Sequence, residues 1–262
     1  MFLAKGNPLS SAVIFGYDTS KYVMNSSMKI QSIKQERLYL RVADQLAEKV
    51  RNGEIKEGER LPSERDLATL FGVSRPTIRE AMIALEIANL VEIRSGSGVY
   101  VKTPDLSGTA IPHDAPGPLE LIEARYFIEG EAAALAAQRA NDTDLALIAG
   151  ALDDMAAKNE ASDAHEDADE AFHTLIAMAT KNSAMIAMIE RLWEWRTTTA
   201  MSMFFHEQQR QSGVQPSVED HRQIYEAIRR RDADSARSAM HSHLGRVLAQ
   251  IVDTDPGSGG VE

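Results

Sequence analysis

The sequence predicts a mainly α-helical protein in two parts: a head of three helices and a β-hairpin, then an all-helical antiparallel bundle. Three observations predict it. Apolar residues recur at helical spacing through most of the 262 residues. Two short alternating segments joined by glycines follow the third helical pattern. A proline-rich run then precedes a long stretch with no convincing strand pattern.

Composition narrows the class further. The chain is 44% hydrophobic, and no apolar run approaches the roughly eighteen residues of a membrane span, so no membrane partner is expected. Cysteine is absent, which excludes disulfides and thiolate metal sites and suits a cytoplasmic protein. Any metal must therefore be held by nitrogen and oxygen. Residues 1–28 begin with one Lys before a broken, weakly apolar stretch, a poor signal peptide, and are expected to form a disordered tail, as are residues 254–262. The net charge of −11 is unevenly spread. Residues 29–103 carry 13 basic and 11 acidic side chains, whereas residues 104–262 carry 13 and 27. The acid lies in the second part, leaving the head able to approach a polyanion. "TPDLSGTAIPHDAPGP", residues 103–118, has four prolines and two glycines that cannot continue a helix, so residues 104–117 are expected to be a linker.

In the head, residues 29–103, Leu38, Val42, Leu46 and Val50 mark a first helix that Gly53 can close. "LPSERDLATLF" starts a second, with Ser63 as N-cap, Asp66 at the third position and Gly72 at its end. "VSRPTIREAMIALEIANL" starts a third with Ser74 as N-cap. It buries Ile78, Met82, Leu85 and Ile87 and leaves Arg75, Thr77 and Arg79 at an exposed front end. "VEIR" and "GVYVK" form a hairpin around "SGSG".

This order is that of a winged helix-turn-helix, whose third helix enters the major groove of double-stranded DNA with its first turn. Ser74, Arg75, Thr77 and Arg79 fit that position, and Ser95 and Gly96 form a wing tip that can approach the backbone closely. A single such arginine is more often a solvated residue of a surface helix; two beside an N-cap in this setting point to DNA. "GERLPSERDLATLFGVSRPTIREAMIALEIANLVEIRSGSGVYV", residues 58–101, resembles the DNA-binding domain of the GntR family of bacterial transcription regulators. The resemblance implies Arg65, Arg75 and Arg79 at the operator, assisted by Ser74, Thr77 and Gly96. Pro76 stands where some relatives carry a Thr or Ser that touches phosphate, so that contact is not expected.

Residues 118–253 show six helical patterns with Asp142, Asn182, Ser217 and Asp232 where N-caps are wanted, hence a six-helix antiparallel bundle. Asp169 and His173 are one turn apart, and His221 and His243 lie on two later helices, each beside an apolar stripe. Singly, each is more often a cap or a hydrogen-bonded core residue. Together, three imidazoles and a carboxylate suit Zn²⁺, with Ni²⁺ or Mn²⁺ as alternatives, leaving positions open to water or ligand. His113, His165, His206 and His241 read as surface or capping residues.

The bundle is similar to the FCD ligand-binding domain of the FadR subfamily of GntR regulators, in which Asp-x-x-x-His and two later histidines hold a divalent metal. That pattern falls on Asp169, His173, His221 and His243 without departure. Within the subfamily, "PGPLELIEARYFIE" and "LWEWR" resemble the uronate-responsive repressors of the UxuR and ExuR type. The resemblance implies a homodimer on a palindromic operator and a small organic acid effector, expected to be a sugar acid. Arg125 is the first candidate to grip its carboxylate and Arg196 the second, while Arg125 could equally form an intrahelical pair with Glu129. The expected function is a non-enzymatic repressor of sugar-acid catabolism genes. A metal-dependent regulator of another organic acid, an unregulated DNA binder, and a metalloenzyme using the Asp and three His are the rivals.

Overall fold

The structure is a computed structural model that describes residues 37–94, 96–102, 111, 116–160, 166–211 and 215–253. The two expected tails, most of the expected linker, Ser95, His113 and His165 lie outside the described residues.

Helix α1 (Leu38–Arg51) buries Leu40, Val42, Leu46 and Val50 and stops where Gly53 takes φ 71°. Helix α2 (Glu64–Phe71) starts on Ser63, whose hydroxyl accepts from Asp66 N, and ends on left-handed Gly72. Helix α3 (Arg75–Ile87) starts on Ser74, which accepts from Thr77 N. All three caps are side-chain or glycine solutions to the orphan groups at helix ends. Strands β1 (Val91–Arg94) and β2 (Gly98–Val101) pair antiparallel with Val91 opposite Val101. The segment before α2 adds to this wing, a pairing that sequence reading did not anticipate. Leu61 N donates to Val99 O, Val101 N donates to Glu59 O, and Arg60 bridges to Tyr100.

The bundle has seven described helices where six were expected: α4 (Pro118–Arg139), α5 (Asp142–Glu160), α6 (Glu166–Ala179), α7 (Ser183–Thr198), α8 (Ala200–Gln211), α9 (Val218–Arg229) and α10 (Ala233–Asp253). The pattern expected to run unbroken over 182–205 splits at Thr199, which is extended at φ −81° and ψ 140°. Three consecutive threonines explain the break. The Thr197 and Thr198 hydroxyls donate back to carbonyls of the last turn, and Thr199 Oγ1 accepts from Ser202 N, capping α8. Asn182, Ser217 and Asp232 cap α7, α9 and α10 as expected. At α5 the cap is Asn141 rather than Asp142: Asn141 Oδ1 accepts from Asp144 N, and Asp144 returns the contact to Asn141 N.

Helix α4 is the axis of the bundle, packed against α6, α7, α8, α9 and α10. Its buried Ala132, Ala133, Ala136 and Ala137 present no bulk, so neighbouring backbones approach closely. Gly130 goes further, since a Cβ there would collide with His241 Nε2. His241, expected at the surface, is half-buried and stacks on Tyr126 with ring centroids 4.2 Å apart. One apolar core runs from Leu40, Ile78 and Leu85 in the head to Phe172, Ile224 and Leu244 in the bundle. Helix α3 packs on α8, and Glu80 of α3 accepts from Leu119 N at the first turn of α4 (2.9 Å).

Candidate functional site

The head presents its expected residues unevenly. Arg65 and Ser74 are exposed, Thr77 is half-buried, and Arg75 at the first position of α3 has a side chain 43% exposed. Arg79, expected at the exposed front end, has a side chain only 11% exposed. Its Nε and Nη2 donate to the two oxygens of Glu64 at 3.0 and 2.9 Å, because one turn further along α3 brings it over the start of α2. Gly96 takes φ 69°, a conformation that costs glycine nothing. Beside it, Arg94 lies over the Tyr100 ring at 4.5 Å and pairs with Glu92.

The bundle brings its four expected donors together. Asp169 and His173 come from α6, His221 from the first turn of α9 and His243 from α10, and all four are buried. One ligand atom from each lies within 4.8 Å of every other. Donors around a tetrahedral zinc, each at roughly 2.1 Å, stand about 3.4 Å from one another, so the more distant donors must draw inward by on the order of 1 Å to close on a cation. Asp169 Oδ1 is 2.9 Å from His221 Nε2 and 3.5 Å from His173 Nε2. The imidazole centroids stand 4.4 to 5.4 Å apart.

Each histidine's other nitrogen faces an oxygen. His221 Nδ1 is 2.8 Å from Ser217 O, His243 Nδ1 is 3.6 Å from Asp220 Oδ2, and His173 Nδ1 is 2.6 Å from Glu129 Oε2. The Glu129 contact is an ion pair whose angle falls short of a straight hydrogen bond, so neither ring nitrogen of His173 is well satisfied. His173 and His221 turn Nε2 toward Asp169 and Nδ1 toward an outer oxygen, the arrangement metal-bound histidines use. The orphaned His173 nitrogens and the hard and borderline donors fit a divalent cation, and this buried group could hold one.

Electrostatics readies Asp169 and His243 for ligation, whereas His173 must give up a proton. Burial pushes Asp169 up, but hydrogen bonds from His173 and His221 outweigh it and hold the carboxyl well below its ordinary range. Burial takes His243 down to about 4, so it is neutral and carries a lone pair. Burial likewise opposes charge on His173, yet the Glu129 carboxylate beside it raises its pKa overall.

Arg125 and Arg196 flank this cluster. Arg125, 2% exposed, donates from Nε to Glu129 at 2.7 Å, so the intrahelical pairing is present. Arg196 Nη2 is 3.5 Å from Asp169 Oδ2. Both guanidiniums lie over the buried Trp193 indole, at 4.1 and 4.7 Å. Trp195 faces away and stacks with Arg191. Both arginines also line a narrow cleft with Leu121, Ser202, Phe205 and His206, whose free space of about 20 Å³ is roughly that of one water. Asp220 and His206 were missed by sequence reasoning, and Glu129 was expected only as a partner of Arg125, not as the carboxylate beside His173. Asp220 and Glu129 look like ordinary charges on amphipathic helices, and His206 was expected to be a surface residue. Only the position of Glu129 four residues after Arg125 offered a signal.

A winged helix-turn-helix joined through one core to a bundle with buried donors and a cationic cleft defines a class, DNA-binding regulators that carry a sensor domain. Residues 38–101 match the profile described as "Bacterial regulatory proteins, gntR family", and residues 120–246 match that of the FCD domain. The chain belongs to the gntR family of bacterial regulatory proteins, with an FCD domain as its second part. That family consists of transcription regulators and not of enzymes. The chain is 35% identical over 225 residues to the "Uxu operon regulator" of Haemophilus influenzae, covering 83% of each. It is 33% identical to the "Exu regulon transcriptional regulator" of Escherichia coli, covering 79% of this chain and 82% of that one. It is 31% identical to the "HTH-type transcriptional repressor NanR" of Klebsiella aerogenes, over 91% and 95%. A solved "Streptococcus agalactiae GntR" overlays with a TM-score of 0.42 at 28% identity, covering 80% of this chain and 99% of that one. No described helix is long and apolar enough to cross a membrane.

Proposed function

We propose that this regulator is a cytoplasmic, homodimeric repressor of sugar-acid catabolism genes, released from its operator by a hexuronate-type acid bound at a divalent metal in the bundle. The observation that carries the reading is the convergence of Asp169, His173, His221 and His243 beside a cleft lined by Arg125 and Arg196. The kinship with uxu and exu regulators supports the choice of acid. Zinc is the first expectation because its common ligands are imidazole and carboxylate, with nickel and manganese as alternatives. When bound, the metal supplies vacant coordination positions for a carboxylate or α-hydroxy oxygen.

The chain's own residues do the rest. Arg125 and Arg196 are placed to take the remaining carboxylate oxygen, and Trp193 holds both guanidiniums in position. The cleft, at about one water, must widen to admit an acid. Its wall includes Ser202 and Phe205 of α8, which packs on α3, so widening it displaces the helix that carries Arg75 and Arg79. Arg65, Ser74, Arg75, Thr77 and Gly96 form the operator face, which Arg79 joins on exchanging Glu64 for phosphate or base, and two heads related by a twofold axis read a palindrome. Operator and acid then weaken each other equally.

The test is fluorescence anisotropy on DNA from the regulator's own upstream region, with zinc-loaded protein and D-glucuronate or D-galacturonate. A fall in operator affinity of tenfold or more is expected, and His221→Ala should lose both bound metal and the acid response while its head still binds DNA. Full metal content in that variant would remove His221 from the ligand set, and indifference of the wild type to both uronates would sink the choice of effector.

A further inference from the structure

Among the described residues of the bundle, Asp169 and Glu129 are the two buried acids, and only Asp169 belongs to the donor set. A second carboxylate 1% exposed is expensive to keep and needs partners for both oxygens. Glu129 has them on two different sites. Oε1 accepts from Arg125 Nε at 2.7 Å, and Oε2 lies 2.6 Å from His173 Nδ1.

Two consequences follow from that placement. A carboxylate 2.6 Å from Nδ1 favours a proton on that nitrogen, so the proton a metal displaces is the one on Nε2, which faces Asp169. The same carboxylate anchors the guanidinium that lines the cleft. Resting on the proposed function, we infer that Glu129 is a positioning residue that joins the two sites: it orients His173 for the metal and shares Arg125 with the incoming acid. An acid that draws Arg125 toward itself leaves Glu129 freer to pull on the His173 proton, which makes Nε2 the stronger ligand. Metal and acid binding therefore reinforce each other through this side chain in addition to their direct contact.

The test uses Glu129→Gln, which keeps the shape and removes the charge. Competition with a calibrated chelator should show zinc held about 10 to 100-fold more weakly than in the wild type. Saturating D-glucuronate should tighten zinc binding in the wild type by a clearly larger factor than in the variant, where only direct coordination of the acid couples the two. Because the variant strands Arg125 without a counter-charge and could fail to fold, a second measurement uses the wild type alone. In zinc-loaded protein labelled with ¹⁵N-histidine, His173 should show a protonated Nδ1 and a metal-bound Nε2. Unaltered zinc affinity in a folded Glu129→Gln, or Nδ1 as the bound nitrogen of His173, overturns the inference. A wild type that binds zinc without any response to uronate removes the shared-arginine half and leaves the orienting half to the label. A wild type that binds no divalent metal defeats the proposed function itself, and the inference falls with it.

Discussion

Glu80 is a carboxylate with one task on each side of a joint. It sits on α3, is 6% exposed, and accepts from Leu119 N at the start of α4, with Tyr39, Arg37 and Glu120 around it. Burial, helped by the Glu120 charge, pushes it up to about 7 from an ordinary 4.5. The folded chain thus binds a proton between those values that the unfolded chain has released, so this contribution to stability is present below pH 4.5 and lost as pH rises through 7. The full swing is on the order of 3 kcal/mol. Glu80→Gln keeps an oxygen for Leu119 N and carries no charge. Its melting temperature should exceed the wild type's at pH 8 and converge with it near pH 5, by calorimetry. At the operator face, Arg75→Ala should cost about 1–3 kcal/mol in binding and relax base preference at one position of each half-site, read from a set of single-base operator variants. The exposed Arg75 could be placed from the sequence because Ser74 announces a helix start. Arg79 could not, since its partner Glu64 is 15 residues away and nothing local joins them. For the same reason Asp220 and the second contact of Glu129, with His173, stayed hidden: a charged residue is ambiguous until the helix it meets is known.

At the scale of elements, the caps carried most of the information. Ser63, Ser74, Asn182, Ser217 and Asp232 each name a helix start because their side chains offer the acceptor that an open helix end lacks. The division between α7 and α8 was harder to see, because apolar periodicity continues across it while the hydroxyls of Thr197 and Thr198 pull at the backbone. Gly130 was equally silent in the sequence. It reads as a weak point in a helix and is in fact the place where the His241 ring rests against α4. Gly130→Ala, ordinarily favourable within a helix, should here displace His241 from Tyr126 and cost about 1–3 kcal/mol. Thermal melts should show a drop of several degrees, and recovery in Gly130→Ala combined with His241→Ala would confirm that the ring is the obstacle.

For the whole molecule, the fold class could be read in full, because helical periodicity, glycine turns and a proline-rich break are local signals, whereas the shared core between head and bundle depends on the packing of α3 on α8 and appears only in three dimensions. That continuity predicts a thermal signature. Stripping the metal from the proposed site should lower the melting temperature of head and bundle together, since a ligand held by the folded state alone stabilises everything that unfolds with it. Differential scanning calorimetry with and without a chelator checks it, and a head transition unmoved by chelation would show that the two parts melt separately. The narrowness of the cleft between α4 and α8 bears on time as well as on affinity. If a site in its resting form has room for about one water, an acid cannot reach Arg125 and Arg196 by diffusion alone and must wait for the walls to part. In stopped-flow mixing, the observed rate should climb with uronate concentration and then level off at the frequency with which the helices open, which makes the response a gated clock rather than a collision counter.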